Sequence, residues 1–318
     1  MAVEVKALRE YIGAKYGAPK CVYLDMQVKR VRLRIYSDEF EEYVSTQIPY
    51  IVSKDNTDVY DATVELWKET DPAAPELISE YDRETETYYY GVKNLEYEEF
   101  IKQGHFLVQI FYRILKTEHS SLVHGAVVGA DGEGVLFCAR GQRGKSTLTV
   151  LAMLNGMEYV SDDYLLLEQD ENGGLYASPI YSIITLSPFM AEQLGPKLGG
   201  CVKLGWNARK DKYVFGIANM HASFRKRYPV KALMFPEITE DEAAGIQKAS
   251  PQEKGRAVAQ LVHSTTSQMN DMKDAQGTKK LIGMVSGYEC YYFGLSKDIE
   301  QNAALLMQFV KERKYRQL

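Results

Sequence analysis

In the middle of the chain, apolar stretches typical of strands alternate with a stretch of helical spacing. Residues 135–138 (VLFC) form a short apolar run that predicts a buried strand. From 146 to 155 the apolar residues follow helical spacing, and Gly156 stands where a C-terminal helix cap is expected. Residues 159–161 begin another strand, which resumes at 164–167 after two acidic positions. A strand, a loop, a helix and a further strand are therefore predicted in this order.

A hairpin is predicted just before the loop. Residues 122–128 alternate in a way that favours a strand, and residues 129–134 carry Asp131-Gly132, a dipeptide typical of tight turns. His124 lies at the end of the first strand that is distant from the turn. Because the second strand of a hairpin runs back to that end, His124 is predicted to lie near residues 141–145.

The remaining elements are predicted more coarsely. The N-terminal part indicates a short helix within residues 1–17, strands at 22–36, 58–67 and 85–92, and a helix at 97–115. The C-terminal part indicates a strand at 230–236 stopped by Pro236, a helix from Ser250-Pro251, a strand at 288–293 and a closing helix at 297–313. The aromatic run at 88–90 is typical of a sheet face.

The predicted domain boundary falls near residues 116–121. Residues 1–118 would form a smaller N-terminal α+β domain of unknown role, without a motif that carries chemistry. Residues 119–318 would form an α/β domain with a mixed sheet, which includes the predicted hairpin, the loop after it and the following helix.

Composition narrows the class of protein. The 318 residues are 45% hydrophobic and 25% charged, with a net charge of −5, ordinary values for a globular chain. That mild acidity argues against nucleic-acid binding, and no apolar run approaches a membrane span. Four scattered cysteines form neither a zinc spacing nor a disulfide framework. With no export signal at the N-terminus, a cytoplasmic protein is expected.

Residues 139–147 (ARGQRGKST) fit a phosphate-binding loop, with Ala139 in place of the usual first glycine. Such loops hold phosphate oxygens with backbone N–H groups at a helix N-terminus. Lys145 can reach terminal phosphates and the Ser146 hydroxyl can hold Mg²⁺. The predicted nucleotide-binding residues are Gly141, Gln142, Arg143, Gly144, Lys145, Ser146 and Thr147.

Asp162-Asp163 adds possible metal and proton chemistry. If its strand lies beside the loop strand, the two carboxylates sit at the mouth of the loop. One could hold Mg²⁺ and the other could accept a proton from an attacking hydroxyl. The predicted metal ligands are Ser146, Asp162 and Asp163. The basic clusters at 209–212 and 225–227 are either solvated loops or a source of one cation that folds over the nucleotide.

His124-Gly125, the loop 141–146, the helix and residues 160–163 together resemble the catalytic domain of HPr kinase/phosphorylase. The resemblance covers about residues 120–168, with the motifs in the same order and spacing. It implies a fold like the nucleotide domain of phosphoenolpyruvate carboxykinase. It also implies that Asp163 takes the acceptor's proton, that Asp162 assists metal binding or positions its neighbour, and that His124 and Lys145 are catalytic. Residues 178–188 lack the family's glycine-rich run and its metal-binding Glu.

The resulting hypothesis is an ATP- and Mg²⁺-dependent phosphotransferase that acts on a hydroxyl of a protein, peptide or small molecule. GTP or pyrophosphate remain alternative donors, and a homo-oligomer is possible. The alternative from another class is a nucleotide-binding sensor or partner-binding module with little turnover. A decarboxylating carboxykinase is more distant, since no further metal ligands or oxaloacetate-binding arginine can be located.

Overall fold

The computed structural model describes residues 5–55, 59–217, 224–239, 244–269 and 274–316. The chain divides into two compact units, Met1–Phe106 and Leu107–Leu318. The division lies earlier in the chain than residue 118, because the helix at 108–115 packs on a strand of the second unit. Separate roles for the two units remain a prediction.

The first unit combines three helices with one mixed sheet, within its described residues. Its elements are α1 (Val5–Tyr16), β1 (Lys20–Asp25), β2 (Arg30–Ile35), α2 (Asp38–Gln47), β3 (Ala62–Glu69), β4 (Leu77–Asp82), β5 (Thr87–Lys93) and α3 (Tyr97–Gln103). The strand order is β1-β2-β3-β5-β4, in which β3 pairs in parallel with β2 and β5. The run at 88–90 lies in β5, with Tyr88 and Tyr89 buried, as expected for a sheet face.

Two predicted elements of this unit are divided by left-handed backbone. The strand predicted at 22–36 is a hairpin, because the chain reverses at Gln27 (φ 64°) between β1 and β2. The helix predicted at 97–115 ends at Gly104 (φ 60°) and restarts after Leu107 (φ 63°). Gln27 is not a residue that usually marks such a position, so the hairpin had no clear local signal, whereas Gly104 is a helix-ending glycine that could have indicated the second break. Asp58, the predicted start of a strand, lies outside the described residues.

The end of β3 holds a buried carboxylate with several donors. Glu69 is 2% exposed and accepts hydrogen bonds from the Tyr11 hydroxyl, the Lys15 ammonium and the Trp67 indole N–H, among others. Burial alone would raise its pKa. The hydrogen bonds outweigh burial and lower the pKa to about 2 from 4.5.

We expect Glu69→Gln to remove part of the pH dependence of stability. A carboxyl whose pKa is lowered on folding stabilises the fold above its unfolded value, and that contribution is lost as pH falls from 4.5 towards 2. The wild type should lose about 3 kcal/mol across this window relative to the variant. Urea titrations followed by Trp67 fluorescence, with Trp206→Phe as background, measure this. A matched change at exposed Glu76 should leave the curve unchanged, and equal slopes for Glu69→Gln and wild type would contradict the assignment.

The second unit is a mixed α/β unit. Its first elements are α4 (Val108–Leu115), β6 (Ser120–His124), β7 (Ala126–Ala130), β8 (Glu133–Phe137), α5 (Lys145–Leu154), β9 (Glu158–Ser161), β10 (Tyr164–Gln169), β11 (Leu175–Pro179) and β12 (Ile183–Leu186). The others are α6 (Pro188–Leu194), β13 (Val202–Asn207), β14 (Lys212–Gly216), β15 (Tyr228–Ile238), β16 (Gly245–Lys248), α7 (Pro251–Gln268), α8 (Ala275–Ser286), β17 (Cys290–Leu295) and α9 (Ile299–Arg316).

Within the described residues, the main sheet of this unit contains nine strands, and the chain segments at its two ends are continuous with each other's neighbours. Its order is β6-β10-β11-β15-β8-β7-β9, with β17 beside β15 and β16 beside β17. The chain passes from β6 into β7 through Gly125, and from β9 into β10 through Asp162-Asp163. These two long segments pair with each other antiparallel on both sides of the break, at His124 with Tyr164 and at Val127 with Ser161. A separate small sheet has the order β12-β14-β13.

Three expectations for this region need comment. The predicted hairpin is confirmed, since β7 and β8 pair through a turn at Asp131-Gly132 with positive φ at both residues. The predicted single strand at 122–128 is wrong, because it breaks at Gly125 into β6 and β7. The strand before Asp162 is not beside the loop strand, because β7 lies between β8 and β9.

Pro236 does not stop its strand, which continues to Ile238 and pairs with β17 throughout. The carbonyl of Met234 accepts from the N–H of Cys138 on the β8 side. Two residues on, Pro236 faces that same side, where the β8 pairing has already ended. Its missing N–H therefore removes no hydrogen bond from the β17 ladder, which lies on the other side of the strand.

Helices cover both faces of the sheet. Leu136 and Val127 pack in one cluster with residues of α7 and α8. Their neighbours Phe137 and Val128 point to the opposite face and pack with residues of α5 and α9. This period-two alternation anchors α5, and with it the start of the helix at residue 145. No helix within the described ranges is long and apolar enough to cross a membrane.

Candidate functional site

The predicted phosphate loop connects β8 to α5. Residues 140–143 are exposed, whereas Ala139 is fully buried at the end of the strand. Gln142 (φ 62°) and Gly144 (φ 84°) take left-handed backbone, and Gly144 is the N-cap of α5. The loop therefore reaches the N-terminus of a helix anchored in the core, which is an arrangement suited to anions.

The two glycines of the loop have different surroundings. A Cβ at Gly144 would lie 2.8 Å from Cδ1 of Leu295, on backbone that side chains rarely adopt. A Cβ at Gly141 would meet nothing within 4 Å. Gly144 is thus required by the fold, whereas the space at Gly141 is open to a ligand.

Lys145 is buried against its own loop. Its ammonium donates to the carbonyl oxygens of Ala139, at 2.6 Å, and Arg140, at 2.9 Å. Burial lowers its pKa, Asp163 and Asp162 act in the opposite direction, and the charges of Lys212 and Lys210 lower it further. The ammonium must exchange these carbonyls for phosphate oxygens to serve a nucleotide.

The break between β9 and β10 places the two carboxylates differently. Asp163 has φ 72°, and its carbonyl accepts from the N–H of Gly125 at 2.9 Å. This hydrogen bond joins the two broken segments at the same point. Aspartate is among the few non-glycine residues that adopt left-handed backbone at modest cost.

Asp163 lies between a histidine and a lysine. His124 Nε2 is 3.5 Å from Oδ1, and Lys210 Nζ is 2.8 Å from Oδ2. The backbone N–H of His124 donates to Thr265 Oγ1 of α7 at 3.0 Å, which fixes the backbone position from which the imidazole extends. Burial lowers the pKa of His124 despite the opposing effect of Asp163, so we assign a neutral ring with Nε2–H towards the carboxylate.

Asp162 lies deeper, on the side of α5. It is 2% exposed, and no hydrogen bond of normal geometry from the described residues reaches either carboxylate oxygen. Burial, with the charge of Asp163, raises its pKa to about 6, against the effects of Lys212 and the Ser146 hydroxyl. A buried carboxylate with unsatisfied oxygens beside a serine hydroxyl fits a ligand of Mg²⁺.

The described residues hold no cluster of three or more His, Cys, Asp or Glu that could bind a metal alone. Mg²⁺ in nucleotide sites, however, needs only one or two carboxylates beside phosphates and water.

One cavity of about 450 Å³ brings together His124, Asp163 and part of the loop, whereas Lys145 and Asp162 are not among its lining residues. It is lined by His124 and Asp163 from the strand breaks, Arg140, Gly141 and Gln142 from the loop, Arg209, Lys210 and Lys212 from the β13–β14 turn, and His263, Ser264, Ser267 and Gln268 from α7. Arg143 instead lines a neighbouring cavity, while Ser146 and Thr147 are half-buried in the first turn of α5.

Only part of this lining was predictable from the sequence. The basic run at 209–212 was noted, but nothing local indicated that its Lys210 would contact Asp163. The cluster at 225–227 lies elsewhere, with Arg225 paired to Glu158 and Arg227 to Glu168. The α7 residues were missed, although Ser264, Ser267 and Gln268 follow the spacing of one helix face, a signal that could have found them.

Comparisons with known proteins add little to this geometry. No family model and no curated protein matches the chain. Among solved structures, an HPr(Ser) kinase/phosphatase from Coxiella burnetii is similar over 62% of this chain and 97% of its own, with 11% identity and a TM-score of 0.33. A similarity of that size decides neither the fold nor the activity of this chain.

Alanine at the two loop glycines should separate folding from ligand binding. Gly144→Ala should lower the free energy of unfolding by about 1–2 kcal/mol, because of its positive φ and the Leu295 contact. Gly141→Ala should change it by less than about 0.5 kcal/mol but reduce the stabilisation that Mg·ATP confers. Denaturant titrations with and without Mg·ATP measure both. Full ligand stabilisation in Gly141→Ala would exclude close phosphate approach there.

Asp162→Asn should stabilise the protein at neutral pH. A raised carboxyl pKa means that the native state holds the proton more tightly, so stability falls as pH rises from about 4 to 6. The variant escapes this cost, and it should gain on the order of 2–3 kcal/mol over wild type at pH 7.5 and nothing at pH 4. Thermal unfolding at both pH values tests this, with exposed Glu171→Gln as control. A lower melting temperature for the variant at pH 7.5 would mean that Asp162 already has a partner.

Proposed function

We propose that this chain is an ATP-dependent, Mg²⁺-assisted phosphotransferase that acts on a hydroxyl of a protein, peptide or small molecule. The observation that carries the proposal is the single cavity shared by Asp163, His124 and the backbone of the loop. A site that only bound nucleotide would not need a carboxylate held by an imidazole beside the phosphates. The HPr kinase-like order of motifs in the sequence supports the same reading.

The donor side would be formed by the loop and the first turn of α5. Backbone N–H groups of the loop and the Lys145 ammonium would bind the phosphates, once Lys145 leaves the two loop carbonyls. Ser146 and Asp162 would hold Mg²⁺, which neutralises phosphate charge when bound.

The acceptor side would be formed around Asp163. An Oδ oxygen of Asp163 takes the proton of the acceptor hydroxyl while the hydroxyl oxygen forms a bond to the γ-phosphorus. The bond from that phosphorus to the bridging oxygen breaks, and the nucleoside diphosphate leaves with the electron pair. Neutral His124 orients the carboxylate through Nε2, and Thr265 holds the histidine backbone in place.

One contact favours the alternative of a nucleotide sensor with little turnover. Lys210 occupies Oδ2 of Asp163 at 2.8 Å, and its ion pair must open before a hydroxyl can reach that oxygen. If it never opens, nucleotide binding at the loop would proceed without transfer.

Asp163→Asn should abolish phosphoryl transfer and leave nucleotide binding nearly intact. Asparagine keeps the shape and tolerates the left-handed backbone at this position, so the loss should reflect the missing base. We expect a fall of about 10²–10⁴-fold in transfer, as for other general bases. Transfer is measured with γ-labelled ATP, Mg²⁺ and a lysate of the source cells, and binding by calorimetry.

Lys145→Ala serves as the control for nucleotide dependence, and every product whose labelling depends on added wild type should be absent with this variant. Its melting temperature is measured alongside, because the substitution leaves the carbonyls of Ala139 and Arg140 without their donor. Full transfer by Asp163→Asn would overturn the base assignment. Tight ATP binding by wild type without any labelled product would favour the sensor.

A further inference from the structure

The β13–β14 turn brings three basic side chains to the cavity beside Asp163. Arg209, Lys210 and Lys212 line it together with Arg140 of the loop, so among the described residues four basic side chains share the lining with one carboxylate. The chain as a whole carries a net charge of −5, so this concentration of cations is local. Like charges at such proximity destabilise one another unless an anion lies between them.

The turn is fixed before any ligand arrives. Asn207 is fully buried, and its Oδ1 accepts from the backbone N–H groups of Arg209 and Lys210, both at 3.1 Å. Asp211 then takes left-handed backbone (φ 54°), and Lys212 returns into β14 opposite Asn207. The basic side chains therefore start from a defined backbone rather than from a solvated loop.

Their charges act on the carboxylates and on the loop lysine. Lys210 contacts Asp163, the charge of Lys212 lowers the pKa of Asp162, and both lower the pKa of Lys145. Among the described residues, neither Arg209 nor Lys212 has a carboxylate within salt-bridge distance. Both cations are available to a ligand that enters beside Asp163.

The loop has a cavity on each side, and the turn belongs to only one of them. The neighbouring cavity, of about 460 Å³, shares Arg140 and His263 but contains neither Asp163 nor any residue of the turn. A triphosphate on the loop can extend its nucleoside into that neighbouring cavity. The side that contains the base and the turn is then left for the acceptor.

We propose that Arg209 and Lys212 bind an anionic group of the acceptor, a phosphate or a carboxylate, close to the hydroxyl that is phosphorylated. This inference rests on the proposed transferase function and narrows its substrate class to anionic hydroxyl compounds or peptides. Lys210 leaves Asp163 for the same anion when the acceptor enters, which frees Oδ2 for the hydroxyl proton.

The test is a calorimetric titration of two probes, inorganic phosphate and malonate, into the full chain saturated with Mg·ADP. Mg·ADP occupies the loop but leaves the γ-phosphate position open, so only probe binding that depends on Arg209 and Lys212 is assigned to the second subsite. Arg209→Gln/Lys212→Gln is compared with Lys226→Gln/Lys279→Gln, which removes the same charge from exposed positions outside the cavity. The first double variant should weaken binding of the preferred probe by at least about tenfold, whereas the control and the affinity for Mg·ADP stay unchanged.

Phosphate as the preferred probe indicates a phosphorylated acceptor, and malonate indicates a carboxylate. The inference is overturned if neither probe binds, if both double variants bind equally, or if Arg209→Gln/Lys212→Gln loses Mg·ADP instead. Failure of the transferase proposal would look different: a nucleotide sensor would bind Mg·ADP and the probes without transferring label, and a chain whose loop binds no phosphate would not bind Mg·ADP. In that case the same titrations on Lys145→Ala, whose loop lacks its lysine, still test the turn alone.

Discussion

The site depends on one backbone hydrogen bond, from the N–H of Gly125 to the carbonyl of Asp163. It lies where two long paired segments both break, and it keeps the breaks in register. Neighbouring side chains of a regular strand already point to opposite faces, and Asp163 adds left-handed backbone at the break. One carboxylate faces α5 and Ser146, while the other faces His124 and the cavity. These different surroundings are the basis on which the proposed function assigns metal binding to Asp162 and the role of base to Asp163.

Burial is the second constraint, and it works against the stability of the unliganded protein. Lys145, Asp162 and His124 are all buried. Burial favours the neutral form of each group, because it lowers the pKa of Lys145 and His124 and raises that of Asp162. The unsatisfied oxygens of Asp162 and the lone Nδ1 of His124 show that protein partners from the described residues do not fully compensate for this. A site preorganised for a charged ligand has this character, because groups that await phosphate and metal cannot also be fully satisfied without them.

Local patterns predicted the parts of the site whose geometry is set by neighbours in sequence. Short-range signals indicate the hairpin, the strand before the loop, the helix predicted at 146–155 and the glycine at 156 that follows this helix. The break at Gly125 was not predicted, because one glycine inside an apolar alternation also fits a continuous strand. The contact of Lys210 with Asp163 joins residues 47 apart in sequence through a small separate sheet. No periodicity encodes such a contact. The basic run at 209–212 therefore predicted a cluster of cations but not which residue they would contact.

Pro236 has a consequence for the loop that its place in β15 alone does not suggest. The last β8 hydrogen bond runs from Cys138 to Met234, and a further rung would need the N–H that proline lacks. The next amide along, of Arg140, instead donates to the Gln260 side chain on α7. Pro236 therefore ends the hydrogen-bonded ladder between β15 and β8. Residues 139–143 therefore lie outside the regular strand pairing. Apart from that of Arg140, their backbone N–H groups remain available to bind an anion.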